Sequence, residues 1–419
     1  MKITVEKTDD INIIMCGTVD NSIVEEKIAA LKEASKKAKT IDTINADTFQ
    51  RDAEGQILHD FIEAGMKEAS LSPDEILGQP NFKEYEKKDN GIYLEVEIST
   101  NPVIDANVEY MDIIPRYTKP KISQKDIDAK LAEMALQQAK FTKLKTPRAV
   151  QNGDLVVIDL EGFLNGRALE GANEKEYHLK IGSNAFIPGF EDQMIGMKMD
   201  EEKTLKIIFP QDYQSKALAG QETEFNVKLH DIQEQKPMEL NDALAQQIFK
   251  DETATLETLK ERMTEKITSQ AFSNLYNESL KPQIIKGLLT KFDFTLPNNA
   301  VEQEIDSRIN EIAQRMSREE HALYKEDKKK FNELRDTVRG EASDSIKAAL
   351  IVDALAKKEN IVVEEKEVLS ALSYQAMMSG QDAQELLEYY KENNLMTSAK
   401  VGLIEDKLFR HMLDAKNGY

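Results

Sequence analysis

From residue 148 to 236 the apolar positions of this chain alternate with polar ones; from 237 onward they recur every three or four residues. Period two is the spacing of a half-buried strand, and period 3.6 that of an amphipathic helix. One layer cannot satisfy both, so the two stretches belong to different domains. Length points the same way, because 419 residues exceed what one hydrophobic core organises. "GDLVVIDLEGFLNG" reads as a strand closed by Asn165-Gly166, a strong hairpin signal. "KEYHLKIGS", "KTLKIIFP" and "TEFNVKLHDIQ" are three more strands. Between the first two of these, one short helix fits into "AFIPGFEDQMIGM".

The flanks give the other domains. Residues 1–20 alternate, from "KITVEK" to "NIIMCGTV". Ile23, Ile28, Leu31 and Ala34 make one helical stripe, and Ile57, Phe61 and Met66 a second. Ile92, Leu94, Val96 and Ile98 share one side of a strand. A β-α-α-β module over residues 1–112 follows. Ser123 then caps a connecting helix with Ile127, Leu131, Met134 and Leu136 on its apolar face. This segment, 113–147, is assigned to the helical part. Residues 237–419 read as all-α, with stripes at Leu256, Leu259, Met263 and Ile267 and at Val301, Ile305, Ile309, Ile312 and Met316. Pro297-Asn298-Asn299 is the start signal of the second. "SREEHALYKEDKKKFNEL" is a solvated helix or loop. The predicted class is α+β multidomain.

Composition limits the function. A net charge of -21 opposes binding to nucleic acid and to anionic membranes. The lone Cys16 forms no intrachain disulfide and no Cys-based zinc site, and is expected as a small buried thiol. "MKITVEKTDD" has no apolar core of signal-peptide length and no later run approaches a membrane span, so a cytoplasmic location is expected. There is no Gly-rich phosphate loop, His-Glu-x-x-His or Gly-x-Ser-x-Gly. His59, His178, His230, His321 and His411 stand at unrelated spacings. No metal or cofactor is expected. What remains is the apolar stretch around Phe186, Ile187 and Phe190, with two glycines that bend the backbone about it.

Here a resemblance enters. "DLVVIDLEGFLNGRALEG", "YHLKIGSNAFIPGFEDQMIGM", "DEEKTLKIIFPQDYQSKALAG" and "TEFNVKLHDI" together resemble an FKBP-type peptidyl-prolyl isomerase domain. Their order, spacing and flanks are similar to those of the trigger factor family of bacterial chaperones. The resemblance implies an FKBP-like domain at 148–236, inserted between a ribosome-docking-like module at 1–112 and a helical chaperone domain at 237–419. It implies an ATP-independent chaperone for nascent and unfolded polypeptides that also isomerises X-Pro bonds. Carried over by position, the catalytic set is Leu160, Leu169, Tyr177, Phe186, Ile187, Phe190, Tyr213 and Phe225, with Glu170 beside the pocket and Leu179 and Val227 in the core. Such a site needs no nucleophile. Amide rotation is opposed by ~18–20 kcal/mol of resonance-derived barrier, and a dry pocket that grips proline and suits the twisted amide lowers it by differential binding.

Some positions depart from the family. Leu160 stands where an aromatic is common, and Leu169 and Ala172 stand where the pattern has Phe and Gly. Weaker isomerase activity is therefore expected, raised by Leu169→Phe. The docking loop Gly-Phe-Arg-x-Gly-Lys-x-Pro is missing from "KKAKTIDTINADTFQRDAEGQ", which offers Asp42, Asn45 and Asp47 instead. Lys36, Lys37 and Lys39 fit a helix C-terminal charge bias. Either the contact is lost or the loop has been replaced, so the ribosome as partner stays open, as does a homodimer. Direct nucleic-acid and membrane partners are not expected. Met377, Met378, Met396 and Met412 are adaptable side chains for apolar clients, or ordinary core. Two other readings remain: a non-enzymatic scaffold with a degenerate FKBP-like module, and a chaperone-isomerase that works off the ribosome.

Overall fold

A computed structural model describes residues 1–37, 46–393 and 395–419. It divides into two compact units, Met1–Thr118 with Leu275–Tyr419, and Lys119–Asn274.

The first unit holds a four-stranded antiparallel sheet, β1 (Lys2–Lys7), β2 (Asn12–Asp20), β3 (Asn81–Lys88) and β4 (Gly91–Ser99), in the order β1-β2-β4-β3. Helices α1 (Asn21–Lys37) and α2 (Ala46–Glu68) lie between β2 and β3 in sequence. The module therefore has two strands more than the β-α-α-β pattern. Residues 1–20 are a hairpin rather than one strand, broken where Asp9 accepts the N–H groups of Ile11 and Asn12 at 2.9 and 2.8 Å. β3 escapes the period-two search because it is an edge strand of mostly charged residues with Phe82 and Tyr85 exposed. Ile92, Leu94, Val96 and Ile98 are buried with Ile13, Met15, Ile57 and Phe61, as the alternation implies. Cys16 is half-buried rather than sealed, and burial pushes its thiol up.

Glu97 and Ser99, on the opposite face of β4, are also buried. The cause is helix α8 (Asn298–Ala313), whose start meets the sheet through side-chain amides. Asn298 Nδ2 donates to Glu97 Oε1 at 2.9 Å, and Asn299 Nδ2 to the Leu77 carbonyl at 2.6 Å. Asn12 sits at the centre. It donates to Asp9 and to the Leu296 carbonyl at 2.8 and 2.9 Å, and accepts from Ser99 Oγ at 2.5 Å and Asn298 N at 2.9 Å. Helix α7 (Lys281–Lys291) precedes α8. After α8 come α9 (Arg318–Glu326), α10 (Lys328–Lys358), α11 (Glu365–Ser379), α12 (Ala383–Glu392) and α13 (Met396–Asn417). Met316 lies beyond the end of α8, so it leaves the helical stripe predicted for it.

In the second unit, α3 (Gln124–Gln138) begins at a capping box between Ser123 and Asp126. It buries Ile127, Leu131 and Ala135 against Leu244 and Ala245 of α5 (Asp242–Phe249) and Leu259 and Met263 of α6 (Leu256–Leu275). The contact line thus advances by four residues, which leaves the predicted Leu136 exposed. The second sheet contains β5 (Phe141–Lys143), β6 (Leu155–Leu164), β7 (Arg167–Lys180), β8 (Glu202–Ile208) and β9 (Glu222–Gln235), with α4 (Phe190–Met194) before β8. Its order is β5-β9-β6-β7, and β8 also pairs with β9.

Removing the Asn12 amide would strand the Ser99 hydroxyl, the Asn298 N–H and the Leu296 carbonyl in a buried site. Asn12→Ala is expected to lower the unfolding free energy by about 2–4 kcal/mol, measured as a shift of the urea midpoint. An unshifted midpoint would show that water replaces the amide at no cost.

Candidate functional site

The second sheet packs with α4 around Ile158, Leu160, Leu179, Leu205, Phe225 and Val227, all buried. From this core a column of aromatic rings runs outward. Phe225 meets Phe190 edge-on at 5.4 Å between centroids. Phe190 stacks on Phe186 at 4.6 Å and 30°, and Phe186 meets Tyr177 edge-on at 5.3 Å. Each such pair contributes about 0.5–1.5 kcal/mol beyond its buried area. Exposure rises along the column, from 0 % at Phe190 to 37 % at Tyr177, with Phe186 half-buried between.

Local geometry sets these rings. Gly162 on β6 faces Phe225 across the ladder, and a Cβ there would lie 2.8 Å from the Phe225 ring and 2.9 Å from the Ala172 Cβ. Gly189 caps α4 with φ +88°, a left-handed conformation that costs glycine little, and so turns the chain from Ile187 into Phe190. β7 is irregular twice, once between the Ile158 and Leu160 rungs and once between those of Glu161 and Phe163. The second irregularity takes in Leu169 to Ala172; bulges of this kind re-aim side chains beside sites. At the first, Glu176 adopts φ +51° and its N–H donates to Asp159 Oδ1 at 2.8 Å, immediately before Tyr177.

The loop carrying Phe186 is held by Glu191 on the first turn of α4. This buried carboxylate accepts the backbone N–H groups of Gly182, Asn184, Ala185 and Phe186 at 2.6, 3.2, 2.9 and 3.3 Å. The Ser183 hydroxyl donates to it at 3.3 Å. Burial pushes the carboxyl up, but the four backbone donors together hold it below the usual carboxylate range. A second loop closes where Phe209 N donates to the Gln221 carbonyl at 3.0 Å and Gly220 N to the Phe209 carbonyl at 3.1 Å. On it Tyr213 is 40 % exposed and packs edge-on against Phe209 at 4.7 Å.

Of the residues expected at the site, Leu160, Phe190 and Phe225 thus lie in the core, with Phe186 and Ile187 packed against it. Tyr177 is joined to them through Phe186, Leu169 is half-buried on β7, and Tyr213 stands on its own loop. The Glu170 side chain lies outside the described residues. Leu179 and Val227 are core residues. Sequence reasoning passed over Glu191 and Gly162. An acid in the first turn of a short helix is a common dipole partner, so nothing in the sequence marks Glu191 as the anchor of the preceding loop.

Residues 146–230 match the family described as FKBP-type peptidyl-prolyl cis-trans isomerase, and residues 255–414 match the bacterial trigger factor protein C-terminus. The trigger factor of a Sulfurovum species is 51 % identical, covering 99 % of this chain and 100 % of that protein. That of a Nitratiruptor species is 37 % identical, covering 100 % of this chain and 98 % of its own. That of Wolinella succinogenes is 37 % identical, covering 99 % of each. A solved structure of a trigger factor chaperone aligns over 100 % of both chains with a TM-score of 0.51 at 18 % identity, a likeness of fold.

The Glu191 clamp gives a prediction with a definite sign. A carboxyl whose folded pKa is lowered stabilises the loop fully above its unfolded pKa, about 4.5, and that contribution is lost as pH falls through the folded value. Hydrogen-exchange protection of the Asn184, Ala185 and Phe186 amides should therefore be level from pH 7 to 5 and decline below about 4.5. Glu191→Gln should lower it by about tenfold or more above pH 5, and the two proteins should converge once the wild-type carboxyl is protonated. Unchanged protection in the variant would mean that the ring column alone holds the loop.

Proposed function

The chain belongs to the trigger factor family, and on that premise we propose where its isomerase site lies and where the protein works. It is an ATP-independent chaperone that binds unfolded and nascent polypeptides, and its FKBP-type domain catalyses cis/trans isomerisation of X-Pro bonds. We place that reaction at the outer end of the aromatic column. The observation that carries this is the continuous run of rings from exposed Tyr177 to buried Phe225, capped by a loop that Glu191 fixes.

In this reading Tyr177, Phe186 and Ile187 are the surface a proline meets, with Leu169 and Tyr213 at its sides. Leu160, Phe190 and Phe225 are the rigid floor beneath. Phe186 lies on Phe190 at stacking distance, so a proline ring that reaches the floor must first move Phe186 aside. The twisted amide has less charge separation than the planar one, so apolar walls favour it over the ground state. The Phe186 stack works against this by adding a displacement step, and Leu169 offers a smaller wall than a flat ring. Both features would hold the activity down.

Chaperone binding is assigned to the helical part. On α11, Tyr374, Met377 and Met378 are 61 %, 67 % and 59 % exposed at a spacing that puts them on one helix face. Met396 is half-buried against a core cluster, and Met412 is fully buried, so core packing claims it. We further propose that this trigger factor acts in the cytoplasm free of the ribosome. The support is the sequence between α1 and α2, which lacks Gly-Phe-Arg and Gly-Lys. Residues 38–45, with the expectations placed on Lys39, Asp42 and Asn45, lie outside the described residues, as do the side chains of Lys36, Lys37 and Asp47. Among the described residues no helix is long and apolar enough to cross a membrane.

Two measurements test these readings. Phe186→Val keeps an apolar wall and removes the stack, and should raise kcat/KM on a proline tetrapeptide about two- to tenfold; Leu169→Phe should raise it as well. No change in either variant would move the site elsewhere, and a loss in both would keep the site here but end the reading of Phe186 and Leu169 as features that hold the rate down. Secondly, the chain should remain in the supernatant when centrifuged with bacterial ribosomes. A version with Gly-Phe-Arg-x-Gly-Lys-x-Pro in place of residues 42–48 should pellet. Pelleting of the unaltered chain would end the ribosome-free reading.

A further inference from the structure

Strand β6 is flanked by two bulges at one level of the sheet. On one side Ile158 pairs with Tyr177 and Leu160 with Glu174, so Lys175 and Glu176 of β7 together stand opposite Asp159. On the other side Val157 pairs with Asp231 and Ile158 with Leu229, which leaves His230 as the extra residue of β9. A bulge leaves its extra residue out of the ladder and bends the strand that carries it. One side chain joins these two across β6. Asp159 Oδ1 accepts the Glu176 N–H at 2.8 Å, and Asp159 Oδ2 lies 2.9 Å from His230 Nε2.

Glu176 needs such a partner. Among the described residues, the other non-glycine positions with positive φ lie outside the strands, and Glu176 alone lies within one, at φ +51°. That left-handed conformation is costly for any residue with a Cβ, and it persists only where the surroundings hold it. The Glu176 N–H first, and then His230, hold the Asp159 carboxyl below the usual carboxylate range. At neutral pH it is therefore ionised, and the bond to Glu176 is charge-assisted.

The next residue is Tyr177, whose ring meets Phe186 edge-on at 5.3 Å. Tyr177 stands opposite Ile158 in the ladder, so it shares the face of that core residue. If Glu176 returned to extended backbone, two residues of β7 could no longer stand against Asp159. The strand would then shift its register beside Tyr177, and a shift of one residue sends side chains to the other face.

We propose that Asp159 is a positioning residue for prolyl isomerisation: it holds the β7 bulge in the strained form that aims Tyr177 at the outer end of the ring column. His230, reaching the second carboxylate oxygen from β9, fixes the orientation of that carboxylate. The proposal rests on the reading of Tyr177 as a wall of the isomerase site and adds the group that sets its place.

The test uses the full chain with 13C-labelled tyrosine rings, the Tyr177 resonance being identified by its loss in Tyr177→Phe. Asp159→Ala should move this resonance and lower kcat/KM on a proline tetrapeptide about three- to tenfold. Adding Glu176→Gly to Asp159→Ala should restore both, because glycine takes the left-handed conformation without a partner. Glu176→Val leaves Asp159 in place but opposes that conformation, and should act as Asp159→Ala does; its side chain is exposed, so the fold should be kept. A role in stability alone would lower the urea midpoint and leave the Tyr177 resonance of the folded protein unmoved. That result, or a failure of glycine to restore the resonance and the rate, would overturn the proposal. Tyr177→Ala separates the two readings when Asp159→Ala leaves kcat/KM unchanged. If Tyr177→Ala lowers it, only the role of Asp159 falls; if it does not, Tyr177 is no wall of the site and both fall.

Discussion

Strand β9 hydrogen-bonds to three other strands, and the isomerase domain depends on it more than on any other element. Along one edge it pairs with β6, and along the other with β8 and then β5. Its inward residues Phe225, Val227 and Leu229 therefore sit at the middle of the core. Phe225 lies opposite both Gly162 and Leu205 in the ladders. A one-residue slip of β9 would turn all three outward. The ring column starts from this strand, so the register of a sheet decides where Tyr177 reaches solvent.

A carboxylate is an unusual anchor for an apolar site, and the geometry explains its use. The loop from Gly182 to Phe186 turns tightly, and its N–H groups converge with no strand to pair with. Unpaired, each would cost about 1–3 kcal/mol where water is excluded. One ionised group accepts all four, which a neutral amide with its single acceptor oxygen cannot do. The negative charge also lies in the first turn of α4, where the helix end favours it. The apolar surface and the buried ion are thus one construction: the ion lets the loop be tight, and the tight loop presents Phe186 and Ile187.

Much of this was legible because burial on one face writes a period into the sequence. Ile92 to Ile98 and the four strand candidates between residues 154 and 232 occupy strands for that reason. β3 was illegible because an edge strand of charged residues carries no such period. The hairpin break at Asp9 was hidden because an Asx turn is made by one side chain, which can equally sit within a solvated strand. At the candidate site, the motif around Ile187-Pro188-Gly189-Phe190 singles out apolar residues but not their depth. Depth depends on which ring covers which, and Phe186 over Phe190 is a packing result that spacing does not encode.

Among the described residues, exposed apolar side chains form small patches in an acidic chain, among them the Tyr177–Phe186 end of the column and the α11 face. Their small size bears on how a chaperone without a nucleotide motif can release what it binds. Apolar burial is worth about 25 cal/mol per Å2, so a single side chain seated in one patch gains only a few kcal/mol before ordering costs. Each contact alone is then brief. A client that reaches several patches is retained by effective concentration, and a client that begins to fold withdraws its apolar side chains from them one at a time. Release then follows from folding itself, and no external energy source is required to open the complex.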